Sequence, residues 1–351
     1  MFRSEERSEP ASIPNLSDRH LRTRGLVRSP EERADAVLAS PRPPPPRWRS
    51  TRRDPVVSPE GTPSEPRSPA CAPRSHLYAP GDRADLVEKA LAGEADVVVA
   101  DLEDAVPADR KDRARAYVVA LLGEHPGGRL HVRVNAVGTP AGRADLAALA
   151  GAPATTIRLP KVDGPEVVRE AAVLLRAGGG RRLSCLLESA LGVERAPEIA
   201  RAHPSVAAIA LGEADLRADL GVAAGAADAG LAHARGRCVL SARAAGLPAP
   251  VQSVFTDVRD LDGLARSTRA GRDAGFFGRS AVHPRQVPVI NAAFTPTADE
   301  LADARALVDA LVRGDGNTLL ADGRYVDRAV VELARRTLAW DDPTPETEEA
   351  R

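Results

Sequence analysis

The stretch VVVADLEDAV, at residues 97–106, decides the fold class because an apolar run ends abruptly in a group of carboxylates. Its apolar part lacks the alternation of a strand with one wet face, so it is typical of a parallel strand covered on both faces. Asp101, Glu103 and Asp104 follow directly. Carboxylates at the end of a buried strand predict either caps for the next helix or a polar site at the carboxyl edge of a sheet.

Similar apolar runs recur along the chain from residue 74 onwards. Short apolar runs alternate with amphipathic helical stretches, and the further runs are HLYAPG, RLHVRVN, TIRLPK, RLSCLLES, VAAIALGEAD, VQSVFTD and GRSAVHP. Strands that alternate with helices specify a parallel sheet with the helices outside it. Roughly eight such units predict an α/β protein with a (β/α)8 TIM barrel over residues 74–295. A doubly wound sheet is the alternative, and it is disfavoured because no Gly-x-Gly-x-x-Gly turn follows the first run.

The two ends of the chain differ from this regular region. Residues 1–73 are rich in Pro, Arg and Ser without a sustained apolar period, which predicts a disordered tail. Residues 296–342 predict a C-terminal helical extension, or lid, whose first helix starts with a capping box between Thr297 and Glu300. Residues 343–351 are predicted to be a second disordered tail.

Composition excludes several classes of protein. The chain has 351 residues, 43% of them hydrophobic and 28% charged, and a formal net charge of -1, which favours a globular protein that does not bind nucleic acid. No apolar run reaches the roughly 18 residues of a membrane helix, and the charged N-terminus lacks the apolar segment of a signal peptide. Cys71, Cys185 and Cys238 have no metal-ligand spacing. A cytoplasmic protein without a membrane partner is predicted.

Polar residues recur at the points where the predicted strands end. They are Asp101, Glu103, Asp104, Arg133, Asn135, Lys161, Glu188, Glu213, Asp215 and His283. In a barrel these points share one face, so charges of both signs predict a cavity for an anionic ligand and a cation. Each residue also has a structural explanation, since Asp104 and Glu213 are suited to capping the helices that follow them.

Glu188 and Asp215 form the clearest pair in this set because they lie at the ends of successive predicted strands. Two carboxylates with room for water are what Mg²⁺ prefers. No Cys/His cluster indicates zinc, no Gly-x-Ser-x-Gly elbow indicates a serine hydrolase, and no Walker motif indicates an NTPase. A Schiff-base aldolase remains an alternative, with Lys161 as the amine nucleophile.

The motifs taken together resemble a known family. RSHLYAPGDR, VVVADLEDAVP, VRVNAVGTP, RLPKVD, LLESALGV, ALGEADLRADLG, GRSAVHPRQVPVINAAFTP and ADGRYVDRAVV are similar to the citrate lyase β-subunit and malyl-CoA lyase family of the HpcH/HpaI aldolase superfamily. The similarity runs collinearly over residues 74–338. It implies a TIM barrel with a C-terminal lid and a homo-oligomer, either a trimer or a hexamer. It also implies Mg²⁺, with Mn²⁺ as a substitute, and as substrates an acyl-CoA and a small 2-oxo acid.

The resemblance assigns roles to individual residues. Glu188 and Asp215 resemble the metal ligands, and Arg133 resembles the arginine that grips the substrate's carboxylate or carbonyl. Glu103 resembles the acid that orients this arginine and a metal-bound water. Asp327 resembles the lid aspartate that acts as acid and base, in a neighbouring subunit's site.

The remaining assignments concern contacts with the substrate and with CoA. Substrate contacts are expected at Lys161 and His283, and CoA contacts at Tyr78, Pro80 and Arg279. The chain departs from the family pattern at Arg279, where lysine is usual, and at Tyr325 and Ala329 beside the lid aspartate.

The function that the resemblance implies is a carbon–carbon lyase of the oxo-acid-lyase type. It would cleave a malyl-CoA- or citramalyl-CoA-like 3-hydroxyacyl thioester to acetyl-CoA plus a 2-oxo acid, or run the reverse condensation. One alternative is a citrate lyase β-subunit that acts on citryl-acyl carrier protein. Another is a catalytically silent CoA-binding protein.

Overall fold

The computed structural model describes residues 72–126, 128–176, 181–223, 228–313, 318–320 and 323–339. The predicted tails, residues 1–73 and 343–351, lie outside the described residues except for positions 72 and 73. Among the described residues, no helix has both the length and the apolar character that a membrane span requires.

Seven parallel strands form a single curled sheet. They are β1 (Ser75–Pro80), β2 (Val97–Asp101), β3 (Leu130–Arg133), β4 (Thr156–Leu159), β5 (Arg182–Leu187), β6 (Val206–Leu211) and β7 (Arg279–Ala281). Their spatial order is β6-β5-β4-β3-β2-β1-β7, so successive strands are neighbours and β7 returns to pair with β1. The α/β class is thereby confirmed, and the described sheet is a curled parallel half-barrel of seven strands rather than the complete eight-stranded barrel that was predicted.

Helices connect the strands and cover one face of the sheet. They are α1 (Ala84–Leu91), α2 (Lys111–Glu124), α3 (Pro140–Leu149), α4 (Pro165–Leu174), α5 (Ala190–Glu194), α6 (Ala196–Ala200), α7 (Glu213–Leu220), α8 (Ala232–Ala244), α9 (Leu261–Asp273) and α10 (Gln286–Phe294). Short 3-10 turns precede α2 and α8, at Ala108–Arg110 and Asp228–Leu231.

Residue parity along each strand separates the helix-facing core from the inner face of the half-barrel. On β2, Val98 and Ala100 belong to the continuous core that the helices cover, whereas the buried Val97 and Val99 lie outside that core. Because successive side chains of a strand point to opposite faces, Asp101 shares the inner face with Val97 and Val99. The apolar run of β2 therefore ends with a carboxylate inside the barrel.

The predicted strand in the run VQSVFTD is wrong. Only an isolated parallel bridge, Gln252 to Arg279, forms there. The amide of Gln252 donates to the carbonyl of Gly278 at 2.9 Å, and the amide of Ser280 donates to the carbonyl of Gln252 at 2.9 Å. Pro250, just before the bridge, has no N–H to extend the ladder. The described sheet thus has seven strands where eight were expected.

The C-terminal extension consists of α11 (Ala298–Arg313), an antiparallel pair of short strands, β8 (Thr318–Leu319) and β9 (Tyr325–Val326), and α12 (Arg328–Leu338). The predicted capping box is confirmed: Thr297 N donates to Glu300 Oε2 at 2.8 Å, and Glu300 N donates to Thr297 Oγ1 at 3.1 Å. Glu300 also pairs with Arg272 of α9 at 2.9 Å, which ties the start of the extension to the barrel helices.

A buried histidine on the inner face makes stability depend on pH. Burial, followed by the charges of Arg158 and Arg182, lowers the pKa of His131 to about 3. The unfolded chain binds a proton there below about pH 6.5, whereas the folded chain does not, so stability falls as the pH falls from 6.5. We expect His131→Asn to reduce the stability lost between pH 6.5 and pH 5 by roughly 1 kcal/mol.

Equilibrium urea unfolding at the two pH values measures this effect. His125, which is exposed at the end of α2, provides the control as His125→Asn, which should behave as wild type does. An unaltered pH slope in His131→Asn would contradict the assignment.

Candidate active site

Strand register brings the polar side chains of the site together. In the parallel pairing of β2 with β3, Asp101 lies opposite Arg133, and in the pairing of β3 with β4, Arg133 lies opposite Arg158. Side chains that are opposite each other in a register share a face of the sheet. Asp101 and Arg133 therefore meet at the carboxyl ends of their strands, where active sites of such folds lie.

Asp101 holds Arg133 in a fixed orientation. The Nε and Nη2 atoms of Arg133 donate to the two carboxylate oxygens of Asp101, each at 2.7 Å. The same carboxylate accepts from the backbone N–H groups of Glu103 at 2.9 Å and of Ala105 at 3.2 Å, which fix it in turn. Burial on its own disfavours the charged guanidinium, but the hydrogen bonds and charge of Asp101 outweigh it and raise the pKa of Arg133. The result is a rigid, fully charged cation.

Glu103, the acid that the resemblance assigns to Arg133, provides only one of the contacts of this guanidinium. Glu103 Oε2 lies 3.0 Å from Arg133 Nη1 as an ion pair without hydrogen-bond geometry, whereas Asp101 makes the two-pronged contact. The residue that sequence reasoning missed in this role is Asp101. Its role is indicated by its position opposite Arg133 in the pairing of β2 with β3, which is known only once the strand pairing is known.

Glu103 bridges two cations in a buried position. It is 6% exposed, and its Oε1 accepts from Lys161 Nζ at 2.8 Å. Burial raises the pKa of the Glu103 carboxyl despite the favourable neighbours Lys161 and Arg133. Glu103 therefore connects the guanidinium on one side to the ammonium on the other.

Lys161 has an unusual backbone conformation, with a φ of 53° in the left-handed region. This region is uncommon for a residue with a side chain and is found at functional sites. The backbone N–H of Lys161 donates to Glu188 Oε2 at 2.9 Å, while its side chain reaches Glu103. The hydrogen bond that Lys161 Nζ donates to Glu103 raises the pKa of the Lys161 amine. A Schiff-base lysine needs the opposite shift, so this result argues against that mechanism.

Glu188 is a buried carboxylate with acidic neighbours. It is 6% exposed, and burial, followed by the charge of Glu103 and with a contribution from Asp215, raises its pKa to about 7. Its side chain packs on the backbone of Gly212, where an added Cβ would lie 2.4 Å from Glu188 Cγ. A glycine is required at this position for Glu188 to reach its place.

The carboxylates of Glu188 and Asp215 fit a divalent cation. A raised pKa beside other carboxylates indicates negative charge that the neighbouring Arg133 compensates only in part. The described residues contain no cluster of three or more His, Cys, Asp or Glu side chains that would enclose a metal. Two protein ligands with the remaining positions left to water and substrate is the arrangement that Mg²⁺ adopts.

Asp104 and Glu213 do not cap helices, contrary to the structural explanation given for them. Asp104 Oδ2 lies 3.5 Å from Arg133 Nη1. Glu213 makes a two-pronged contact with Arg235 at 2.8 and 2.7 Å. Both carboxylates have a guanidinium partner in place of free backbone N–H groups.

Two other predicted site residues lie apart from this cluster. Asp327 Oδ1 accepts from Ala329 N at 2.9 Å and Val330 N at 3.0 Å, so it forms the N-cap of α12. His283 Nδ1 accepts from the backbone N–H of Arg285 at 3.2 Å in the turn after β7. Between described residues, neither side chain makes a hydrogen bond or ion pair with the cluster.

Arg279 does not lie at the rim where a CoA contact was expected. It is 5% exposed, and its Nη1 donates to Ser267 Oγ and Thr268 Oγ1 of α9, each at 3.1 Å. The strand register explains this position. Leu77 of β1 pairs with Ala281 of β7, and both side chains lie in the helix-facing core. Arg279 lies two residues before Ala281, so its side chain points to the same helix-facing side. Arg279 therefore points away from the inner face.

Tyr78 and Pro80 lie on the inner face at the end of β1, next to Arg133. Pro80 is paired with Asp101 in the register of β1 with β2. The guanidinium carbon of Arg133 lies 5.3 Å from the centroid of the Tyr78 ring. The ring thus contacts the arginine of the site directly.

The fold and the site define a class: an α/β half-barrel with a buried carboxylate and a fixed arginine at the carboxyl ends of its strands. The model of the HpcH/HpaI aldolase/citrate lyase family matches residues 74–284. The chain belongs to this family, as the sequence motifs predicted.

Individual relatives agree with this assignment. The chain is 37% identical over 272 residues to a (3S)-malyl-CoA thioesterase of Cereibacter sphaeroides, covering 76% of this chain and 93% of that one. It is 33% identical over 303 residues to an L-malyl-CoA/beta-methylmalyl-CoA lyase of the same species, covering 77% and 95%. It is also similar to the crystal structure of protein CitE from Mycobacterium tuberculosis in complex with magnesium, acetoacetate and coenzyme A. That match has a TM-score of 0.67, 33% identity, and coverage of 77% of this chain and 98% of the other.

Proposed function

We propose that the protein is a Mg²⁺-dependent carbon–carbon lyase of 3-hydroxyacyl-CoA thioesters, which it cleaves to acetyl-CoA and a small 2-oxo acid or forms from them. The observation that carries this proposal is the buried Glu188, whose Oε2 accepts from Lys161 N at 2.9 Å, at the same strand-end face as Arg133, which Asp101 fixes through two hydrogen bonds. Support also comes from relatives whose names include malyl-CoA lyase and from a similar structure that holds magnesium and coenzyme A.

The metal would be held by Glu188 and Asp215. When bound there, Mg²⁺ supplies Lewis-acid stabilisation of negative charge on the oxygens of the 2-oxo acid. The buried Glu188 is suited to this role because a cation relieves the cost of keeping it ionised, and the exposed Asp215 leaves the metal open to water and substrate.

Arg133 binds the anionic end of the substrate. Asp101 accepts the Nε proton and one Nη2 proton, so the second Nη2 proton and the Nη1 protons remain as donors for a substrate oxygen. A charged donor that is already fixed needs no reorganisation as negative charge develops. Glu103, which also binds Lys161, lies 3.0 Å from Nη1 and restrains that side of the guanidinium.

The reaction requires a proton at the carbon next to the thioester. In cleavage, the hydroxyl gives its proton to solvent water, the carbon–carbon bond breaks, and the acetyl-CoA enolate takes a proton at carbon, so one proton is released and one is taken up. We assign this proton to Asp327, supplied from the extension of a neighbouring subunit in a homo-oligomer. Its position at the start of α12, in a segment joined to the barrel through α11, supports the assignment.

Changing Asp327 to asparagine separates its two tasks. Asparagine is as good an N-cap as aspartate, so α12 and the melting temperature should be retained. Asparagine cannot donate the proton, so we expect kcat to fall by at least about 100-fold, the scale of general acid–base catalysis. Asp260→Asn is the matched control, because Asp260 caps α9 in the same way through Gly263 N at 2.7 Å. Equal turnover in the two variants would remove Asp327 from the mechanism.

The barrel is proposed to close through residues 250–253. Gln252 pairs with β7 on one side, and Ser253 Oγ accepts from Glu213 N at 3.2 Å just beyond the end of β6 on the other. This segment therefore lies in the gap between the two edge strands. A cytoplasmic location remains a prediction from the cysteine usage and the N-terminal composition.

Hydrolysis of the same thioester is a second candidate function, because one relative is named a malyl-CoA thioesterase. The products distinguish the two reactions: the lyase releases acetyl-CoA and glyoxylate from malyl-CoA, whereas a thioesterase releases malate and free CoA. A citrate lyase β-subunit would instead require a citryl group on an acyl carrier protein. A silent CoA-binding protein would release nothing.

The test is a panel of malyl-CoA, citramalyl-CoA, beta-methylmalyl-CoA and citryl-acyl carrier protein, each with Mg²⁺ and with EDTA. Metal-dependent release of a 2-oxo acid from one of the CoA esters is expected. Free CoA with malate would favour the thioesterase, and turnover of the carrier-bound substrate alone would favour the subunit role.

A further inference from the structure

An arginine is buried inside the half-barrel without an acidic partner. Arg158 is 3% exposed and lies on β4 next to Arg133 of β3. Its Nη1 donates to the Tyr78 hydroxyl at 3.1 Å, and its Nη2 lies 2.6 Å from His76 Nδ1. Among the described residues no carboxylate forms a salt bridge with it. Buried arginines are usually paired with a carboxylate, so the groups that Arg158 contacts instead indicate its role.

Tyr78 lies against two guanidinium groups at once. Its ring centroid is 5.3 Å from Arg133 Cζ and 5.4 Å from Arg158 Cζ, both within the range of a cation–π interaction. Like charges on paired positions of neighbouring strands are destabilising. The electron-rich ring offsets that repulsion because it attracts both cations.

The contacts restrict Arg133 in two directions. Asp101 fixes the Nε and Nη2 edge of the guanidinium through two hydrogen bonds. The Tyr78 ring packs against the same group. The ring itself is held by the hydrogen bond that Arg158 donates to its hydroxyl oxygen. Removing the ring leaves the guanidinium free to tilt about the edge that Asp101 holds.

We propose that Tyr78, fixed by Arg158, is a positioning residue for Arg133 and thereby a determinant of affinity for the 2-oxo acid. This inference rests on the proposed function, since it takes Arg133 as the group that binds the oxo acid's carboxylate. It replaces the expectation that Tyr78 contacts CoA, because the side chain lies on the inner face against the arginine.

Calorimetric titration with pyruvate, glyoxylate or oxaloacetate in the presence of Mg²⁺ tests the inference without turnover. For the oxo acid that wild type binds, Tyr78→Leu should raise Kd about 10-fold, which corresponds to about 1.4 kcal/mol. Tyr78→Phe keeps the ring and loses only the Arg158 hydrogen bond, so about a 3-fold increase is expected. Arg158→Met should resemble Tyr78→Phe. The KM for acetyl-CoA in the condensation direction should stay within about 2-fold in all three variants, because acetyl-CoA lacks the carboxylate that Arg133 binds.

Matched controls come from residues outside the site. Tyr117→Phe removes a hydroxyl bonded to Ala84 O and Glu88 between helices, and Arg129→Met removes hydrogen bonds to backbone carbonyls, including that of Ala95. Both should leave the Kd for the oxo acid unchanged. If Tyr78→Leu does not fold, it will show no thermal unfolding transition. The conservative Tyr78→Phe variant then tests the positioning role of Tyr78.

Each outcome separates this inference from the proposed reaction. An unchanged Kd in the Tyr78 variants overturns the inference, as does a rise in the KM for acetyl-CoA with an unchanged Kd for the oxo acid, which would place Tyr78 in the CoA site. A wild-type protein that binds none of the oxo acids overturns it too. Binding of an oxo acid without cleavage of any thioester contradicts the proposed reaction, while the shift in Kd still supports the positioning role.

Discussion

Glu188→Gln is expected to lower kcat by on the order of 1000-fold, the largest effect of any single change considered for this protein. Glutamine keeps the volume that packs on Gly212 and an oxygen that can accept from Lys161 N. It removes the charge that, with Asp215, would hold Mg²⁺. The expected loss is therefore one of metal affinity and turnover.

Stability should behave differently from activity in this variant. The raised pKa of Glu188 shows that its ionised form is disfavoured by burial, so a neutral side chain should leave the melting temperature unchanged or higher. Glu213→Gln is the matched control, because Glu213 is also a carboxylate that follows a strand, and it pairs with Arg235 rather than with residues of the cluster. Steady-state kinetics and Mg²⁺ titration of both variants measure the effect. Wild-type turnover in Glu188→Gln would exclude Glu188 as a metal ligand.

Arg133→Lys is expected to lower kcat/KM by about 100- to 1000-fold. A lysine ammonium is a point charge, so it cannot bind both oxygens of Asp101 and still direct a donor to the substrate. The buried Asp101 would lose at least one partner, at a cost of about 1–3 kcal/mol in the free energy of unfolding. Both activity and stability should therefore fall.

Arg235→Lys gives the comparison that isolates the catalytic part. Arg235 makes the same two-pronged contact, with Glu213, away from the substrate site. It should lose stability to a similar extent while retaining turnover, as judged by urea unfolding and steady-state kinetics. If Arg133→Lys lost no more activity than Arg235→Lys, Arg133 would have only a structural role.

The sequence predicted those features that depend on local pattern. The runs of β2, β5 and β6 were visible as unalternating apolar stretches, and the capping box at Thr297 and Glu300 followed from side chains three positions apart. The location of polar residues at strand ends followed from the parallel sheet. The eighth run failed because a proline precedes it and only Gln252 pairs, which apolar content alone does not reveal.

Features that depend on strand register could not be predicted in the same way. Asp101 and Glu103 are both carboxylates within two positions of the strand end, and only the pairing opposite Arg133 shows that Asp101 makes the two-pronged contact. Parity likewise decides that Arg279 faces α9 and that Tyr78 faces the inside. Strands buried on both faces give no alternation from which these directions can be read. The left-handed backbone of Lys161 has no signal in residue type either.

Mg²⁺-dependent carbon–carbon cleavage is tested most directly by measuring both products released from a single CoA thioester that the protein turns over. The measurement is made with Mg²⁺ and with EDTA. We expect acetyl-CoA and the 2-oxo acid in equal amounts, at a rate that EDTA abolishes and added Mg²⁺ restores. Free CoA with an intact hydroxy acid, or cleavage that persists in EDTA, would contradict it.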